Sequence, residues 1–365
     1  MQLSDDAWLR IADYTPDGAV HELMATGRHW WALLRGCYIV WDLSADTELP
    51  KELCVASGRI RRITITACGA PCWLCKWCAG ALITRFFRTA TLLRETVVEI
   101  NLPMGRHVVV VPCMGCRRVS GLPTNCQDLR PWKAPPMAIT SAFTTGITVL
   151  RLRLVDHEFG DRDMRWWIAF LDGIVDAPAL EDLRLDLAVR EDSDYDPDTV
   201  RFSDDSVIAL VDRCLRRCGR LRRLHLTLDG SELGADAIDA IAALILTDLH
   251  LGLRHVRMDD EMDACALGRL VARFGGDRLS LDLQGCRLED EHLSETVDVI
   301  VAAGRPPHRR LTVDFSYNEI RDIAPLVELF RCGGERVTLD LRGSLSAVSM
   351  QTLRDRCCDE QHRLL

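Results

Sequence analysis

No stretch of this 365-residue chain is apolar for the length that a bilayer-spanning helix requires, and runs such as Val108 to Val111 fall far short of it. A membrane-embedded chain is therefore not expected. The opening residues, Met1 to Asp6, have neither the basic flank nor the apolar core of a secretory signal, so the expected location is intracellular, cytoplasmic or nuclear. Excess positive charge is also missing. With a formal net charge of −9, a nucleic acid or an anionic membrane is not the expected main partner, because binding phosphates needs clustered Lys and Arg, and room remains only for a local basic patch. Catalytic signatures are absent too: there is no Gly-x-x-x-x-Gly-Lys phosphate loop, no Gly-x-Ser-x-Gly elbow and no His-Glu-x-x-His pair. A non-catalytic chain is expected.

What is present is a globular composition, 48% hydrophobic and 27% charged, organised by a recurring phrase. Its clearest copy is Leu279-Ser-Leu-Asp-Leu283, followed by Cys286, Leu288 and an acidic helical run from Glu289. The phrase recurs at Leu150–Leu154, Leu183–Leu187, Leu224–Leu228, Leu249–Leu253, Leu311–Phe315 and Val337–Leu341. Three alternating apolar residues predict a short strand with one face buried, and the 3.6-residue periodicity that follows predicts a helix. Helices are expected at Asp163–Val175, Asp204–Arg217, Asp236–Ile245, Glu261–Phe274, Asp290–Ala303, Ile323–Phe330 and Val348–Cys357. Less regular strands are expected at Ile63–Cys68 and Val98–Leu102. A unit of roughly 30 residues cannot bury its own apolar face, whereas stacked units share one core.

These repeats resemble leucine-rich repeats of the long, cysteine-tolerant kind found in ribonuclease-inhibitor-like and F-box proteins. The resemblance covers about two thirds of the chain, counted from the repeat period. The fold class expected is α/β, a leucine-rich-repeat solenoid in which a horseshoe of parallel strands carries outer helices. Its regular part spans 141–365, preceded by degenerate first repeats in 45–140.

Residues 1–44 read differently. Leu3, Trp8, Ile11, Leu23 and their apolar neighbours fall at helical spacings, broken at Thr15-Pro-Asp-Gly18 and Thr26-Gly27. The order Leu3-Ser-Asp, Trp8-Leu-Arg-Ile11, Thr26-Gly-Arg-His-Trp30 and Trp41-Asp-Leu43 resembles an F-box. Ser4 stands in place of the usual proline, and Gly27 in place of the frequent cysteine. The resemblance implies a small all-α F-box-like module that docks a Skp-type adaptor and so joins a cullin ubiquitin ligase, with Leu3, Trp8, Ile11 and Leu23 facing the adaptor. On that reading the chain is a substrate-recognition subunit whose repeats hold a protein substrate. The alternative is a structural scaffold subunit in which the same helices only cap the solenoid, since terminal repeats must hide their apolar face.

In a reducing compartment the 16 cysteines are expected as thiols, and Cys214, Cys218, Cys265, Cys286 and Cys332 occupy places where a repeat core or helix face takes a small hydrophobe. No cofactor is expected, with one exception. The Pro- and Gly-rich insertion 103–140 holds His107, Cys113, Cys116 and Cys126, the ligand types of a structural zinc, although a single Cys-x-x-Cys without a second one at a standard distance reads more readily as scattered thiols.

Between the inward apolar columns, two outward columns follow from strand periodicity. One reads Arg151, Arg184, His225, His250, Ser280, Thr312, Thr338, and the next Arg153, Asp186, Thr227, Gly252, Asp282, Asp314, Asp340. Asp282, Asp314 and Asp340 would stand side by side, an unfavourable row unless Arg342, water or a cation relieves it. A concave face that takes a partner with a basic patch is one expectation, with Arg153 and Arg184 at its other end. Solvated aspartates in a common slot are the other.

Overall fold

The computed structural model describes residues 180–187, 202–258, 260–304, 309–332, 336–357 and 363–364, together with the strand backbones 38–42, 62–66, 97–103 and 149–155. These build an α/β solenoid around one parallel sheet of eleven strands that follow each other in chain order. The strands are β1 (Tyr38–Asp42), β2 (Arg62–Thr66), β3 (Val97–Pro103), β4 (Val149–Val155), β5 (Asp182–Asp186), β6 (Arg223–Thr227), β7 (Asp248–Gly252), β8 (Arg278–Asp282), β9 (Arg310–Asp314), β10 (Arg336–Asp340) and β11 (Arg363–Leu364). Six α-helices are described: α1 (Asp204–Arg213), α2 (Ala235–Ala242), α3 (Glu261–Arg273), α4 (Asp290–Ala303), α5 (Ala324–Cys332) and α6 (Ala347–Cys357). Consecutive helices pack on one another along one side of the sheet.

The alternation in sequence sets this layering. The second and fourth residues of β5 to β10, such as Leu224 and Leu226, Leu279 and Leu281, or Val337 and Leu339, are buried toward the helices. The closing apolar residue of each phrase, Leu187, Leu228, Leu253, Leu283, Phe315 or Leu341, is buried just past the strand. Each helix adds an apolar stripe to the same core, as with Leu267, Leu270 and Val271 on α3 and Leu293, Val297 and Ile300 on α4. Truncating one such leucine to alanine costs about 2–5 kcal/mol in a close-packed core.

Polar side chains couple neighbouring repeats. Asp204, in the first turn of α1, accepts the Gly234 N–H at 2.7 Å. Asp290, at the start of α4, accepts the N–H groups of Arg321 and Asp322 at 2.7 and 2.8 Å. The Arg269 guanidinium of α3 grips Asp239 of α2 with two bonds of 2.9 and 2.7 Å. Helix starts are also satisfied locally, since Asp260 accepts the Met262 N–H and Glu289 and His292 form a reciprocal capping pair around α4.

The turn after each strand needs its own solution, because its backbone groups are buried. Asn318 supplies one: its Nδ2 donates to the carbonyls of Leu283 (2.8 Å) and Phe315 (2.9 Å), while its Oδ1 accepts the Leu288 N–H at 3.0 Å. One repeat on, Ser344 Oγ donates to the Phe315 carbonyl at 2.7 Å and accepts the Asn318 N–H at 2.9 Å. One repeat back, the fully buried Cys286 thiol donates to the Leu253 carbonyl at 2.9 Å. Burial pushes the Cys286 thiol far above its ordinary range. The expected core placement of Cys214, Cys218 and Cys286 holds, and Cys265 and Cys332 are half-buried.

A left-handed residue follows in the turns after β6 to β10: Gly230, His255, Gly285, Tyr317 and Gly343, with φ between 58° and 73°. Rings and glycines alternate because successive repeats bring this position face to face. A Cβ on Gly285 would lie 2.7 Å from His255 Nδ1, and one on Gly343 2.8 Å from the Tyr317 ring.

The strands and helices expected over 180–357 are found with ends shifted by a few residues, and the helix expected over Asp204–Arg217 breaks into α1 and a 3₁₀ turn at Leu215–Arg217. Two strands were not anticipated. Tyr38–Asp42, inside the stretch read as helical, forms β1 and pairs with β2, and Arg363–Leu364 closes the sheet against β10. The helix expected at Asp163–Val175 and the insertion 103–140 lie outside the described residues, as do Leu3, Trp8, Ile11 and Leu23.

Asn318→Ala leaves buried turn groups unpaired and is expected to destabilise the chain by about 2–4 kcal/mol in urea unfolding. Gly285→Ala, which meets both the left-handed backbone and the His255 ring, is expected to cost about 1–3 kcal/mol. Gly275→Ala, with nothing within 4 Å of its Cβ, serves as the near-neutral comparison.

Candidate functional site

The sheet face opposite the helices is where alternation sends the remaining strand positions, and the register puts them in straight columns. Arg184, His225, His250, Ser280, Thr312 and Thr338 are aligned partners on β5 to β10, as are Asp186, Thr227, Gly252, Asp282, Asp314 and Asp340. Both columns were expected from the spacing. Arg153 on β4 is the register partner of Asp186, and Arg151 that of Arg184. Arg184 is exposed, with its Nε 4.0 Å from Asp182.

The aspartates stand in their row, and the chain itself answers most of their charge. Asp282 accepts the Arg254 Nε at 2.6 Å. Asp340 is held by the Arg342 guanidinium through contacts of 2.6 and 3.0 Å, which keeps its carboxyl below the usual range. Asp314 accepts the backbone N–H of Ser316 at 2.9 Å, and Asp340 that of Arg342 at 3.2 Å. A carboxylate at the strand end that caps the N–H two residues on is a turn-forming device, which gives Asp a structural reason to recur in this slot. Arg342 was anticipated as a relieving cation. Arg254 was not.

Toward the centre of the face, His225 and His250 stack with ring centroids 3.9 Å apart and planes 23° from parallel. His250 Nδ1 lies 2.9 Å from Ser280 Oγ. Partial burial pulls the His225 pKa down to about 4, with His250 and Arg184 adding to the effect, and burial likewise lowers that of His250. Both shifts favour the uncharged ring. Nearby, burial raises the Asp229 carboxyl to about 6 although it accepts the Arg254 N–H at 2.9 Å. This group offers hydrogen bonds and flat ring surface to a partner.

A third column was missed. The first strand residues Asp182, Arg223, Asp248, Arg278, Arg310 and Arg336 are also register partners and share the open face. The available signal was an arginine placed directly before the Leu-x-Leu phrase in four repeats. The face is thus striped across β8 to β10: arginine, then hydroxyl, then aspartate.

Among the described residues no group of three His, Cys, Asp or Glu side chains is placed to hold a metal. His107, Cys113, Cys116 and Cys126 lie outside those residues.

The depressed His225 pKa sets a direction with pH. Between about pH 6.5 and 4 the unfolded chain takes up the proton first, so His225 lowers stability as pH falls through that window. Asp229, raised from 3.8 to about 6, acts in the opposite sense, its contribution growing as pH falls from 6 toward 4. His225→Asn is therefore expected to lose less Tm than wild type between pH 7 and 4.5, and an NMR titration of the His225 ring to give a midpoint near 4.

No family model matches the chain, and no curated protein matches it. Among solved structures, a crystal structure of the Rad7 and Elc1 complex in yeast aligns over 99% of this chain and 94% of that chain, at 12% identity and a TM-score of 0.37. The α/β solenoid rests on the strand register described above.

Proposed function

We propose that this chain is a non-catalytic protein-interaction subunit whose open sheet face binds a protein partner. The observation that carries this reading is the face itself: a long parallel sheet in regular register presents, from β5 to β10, columns of mostly exposed or half-exposed polar and charged side chains, and the described helices pack against its other side. Such a surface suits an extended or folded protein partner better than a small molecule, which needs a concave apolar pocket with a few convergent polar groups.

Joined to the F-box resemblance of residues 1–44, the reading becomes more specific. The N-terminal module docks a Skp-type adaptor through Leu3, Trp8, Ile11 and Leu23, the adaptor brings a cullin ligase, and the repeats hold the substrate. Catalysis then belongs to the partners, and this chain contributes proximity and orientation.

The test is capture of a purified Skp-type adaptor by the intact chain and by full-length Trp8→Ala and Leu23→Ala variants, each checked for wild-type circular dichroism. Capture by wild type and at least tenfold weaker capture by both variants is expected. A folded wild-type chain that captures no adaptor overturns the docking role and leaves the N-terminal residues as a cap.

A further inference from the structure

The amino-terminal edge of the sheet carries a charge opposite to that of the whole molecule. From Arg213 to Arg223 the sequence has six arginines and no acid, in a chain whose net charge is −9. All six are exposed, and Arg278, Arg309, Arg310 and Arg336 continue the basic edge across β8, β9 and β10. Acidic groups are interspersed, and they answer only some of these cations. Asp212 pairs with Arg216 at 2.6 Å, Asp182 lies 3.4 Å from Arg223, and Asp277 lies 3.7 Å from Arg309. Asp248 stands between Arg223 and Arg278 in the register. Arg220, Arg222, Arg278, Arg310 and Arg336 have no ion pair among the described residues.

The contrast with the aspartate row is physical. Neighbouring parallel strands are about 4.8 Å apart, so Arg278, Arg310 and Arg336 form a column of like charges. Such a column is unfavourable. Asp282 and Asp340 at the other end of the same strands are relieved by Arg254 and Arg342, whereas among the described residues no carboxylate pairs with this column.

An apolar cleft opens at the same edge. Its volume is about 370 Å³, its floor is formed by Leu215, Leu221, Leu244 and Leu246, and its rim by Arg216 and Arg222. Ile245, at 87% exposure the most exposed large hydrophobic residue among those described, stands at its mouth. Because Arg222 leads directly into β6 and Leu246 almost directly into β7, cleft and arginine column form one continuous surface. From β6 to β10 this edge runs about 19 Å, the length of roughly six residues of extended chain.

We propose that this edge docks an acidic, extended protein segment, with one apolar residue seated in the cleft beside Ile245 and its carboxylates on Arg278, Arg310 and Arg336. The inference rests on the reading of the chain as a protein-interaction subunit and assigns the chemistry of the partner. An acidic protein fits better than a nucleic acid: no aromatic side chain lines the cleft to stack a base, and the overall negative charge repels a long polyanion.

The experiment uses the full-length chain and fluorescence anisotropy with four probes: an eight-residue peptide of glutamates around one central leucine, the same peptide with serine for leucine, its lysine counterpart, and a twelve-residue oligothymidine. The leucine-containing acidic peptide is expected to bind, at least tenfold more tightly than the lysine peptide and several-fold more tightly than the serine version, and to weaken as salt rises. The combined change Arg278→Glu, Arg310→Glu and Arg336→Glu is expected to weaken it at least tenfold, and Ile245→Asp several-fold, with melting temperatures near wild type because all four side chains are exposed. Binding that is absent at low salt, or unaffected by the arginine reversals, overturns the proposal. Tighter binding of the oligothymidine overturns it in favour of a nucleic-acid edge. The same variants are assayed for adaptor capture. Retained capture with lost peptide binding confines the defect to this edge, and peptide binding without any adaptor capture leaves the edge assignment standing while removing the docking role.

Discussion

Parallel strand pairing between successive repeats is the constraint on which this molecule depends. A parallel strand cannot satisfy its backbone groups within its own hairpin, so every repeat borrows its partners from the repeat before and the repeat after. The consequence is a one-dimensional stack in which each unit is stabilised mainly by its neighbours. The side-chain ties follow the same direction: Asp204 to Gly234, Asp239 to Arg269 and Asp290 to Arg321 each join adjacent units. The buried run Cys286, Asn318, Ser344 then closes the turns from one repeat to the next.

That stacking also governs the surface. Because the register is regular, one residue type at one strand position becomes a row, and rows of like charge must be relieved. At the carboxyl ends of the strands the relief comes from within, through Arg254, Arg342 and the turn N–H groups. At the amino ends the arginines face outward beside an apolar cleft. Two edges of one sheet therefore differ in what they offer: one is largely compensated from within, while among the described residues the other keeps arginines without an ion pair in a chain of net negative charge.

The central histidines belong to neither edge. They stack at 3.9 Å, and partial burial favours their uncharged form, so they present hydrogen-bonding edges and ring surface between the arginines and the aspartates. Their place in equivalent slots of β6 and β7 follows from the repeat.

The sequence by itself determined the strand phrase, its inward leucines, the helices between phrases from Asp204 onward and two of the three outward columns, because periods of two and 3.6 residues are local properties that survive without knowledge of the neighbours. It also foresaw that Cys286 is buried and that Arg342 could answer Asp340. What only the tertiary structure decided depends on residues far apart in the chain. Arg254 reaches Asp282 from the preceding repeat, Asn318 caps the turns of two repeats at once, and glycine alternates with His255 and Tyr317 because facing turns have room for one ring between them. Tyr38–Asp42 is a strand through its pairing with β2, although it lies within the stretch 1–44 whose resemblance implies a helical module. The arginine edge was visible as a recurring letter, but its meaning required the register that lines Arg278, Arg310 and Arg336 up and the absence, among the described residues, of carboxylates to pair with them.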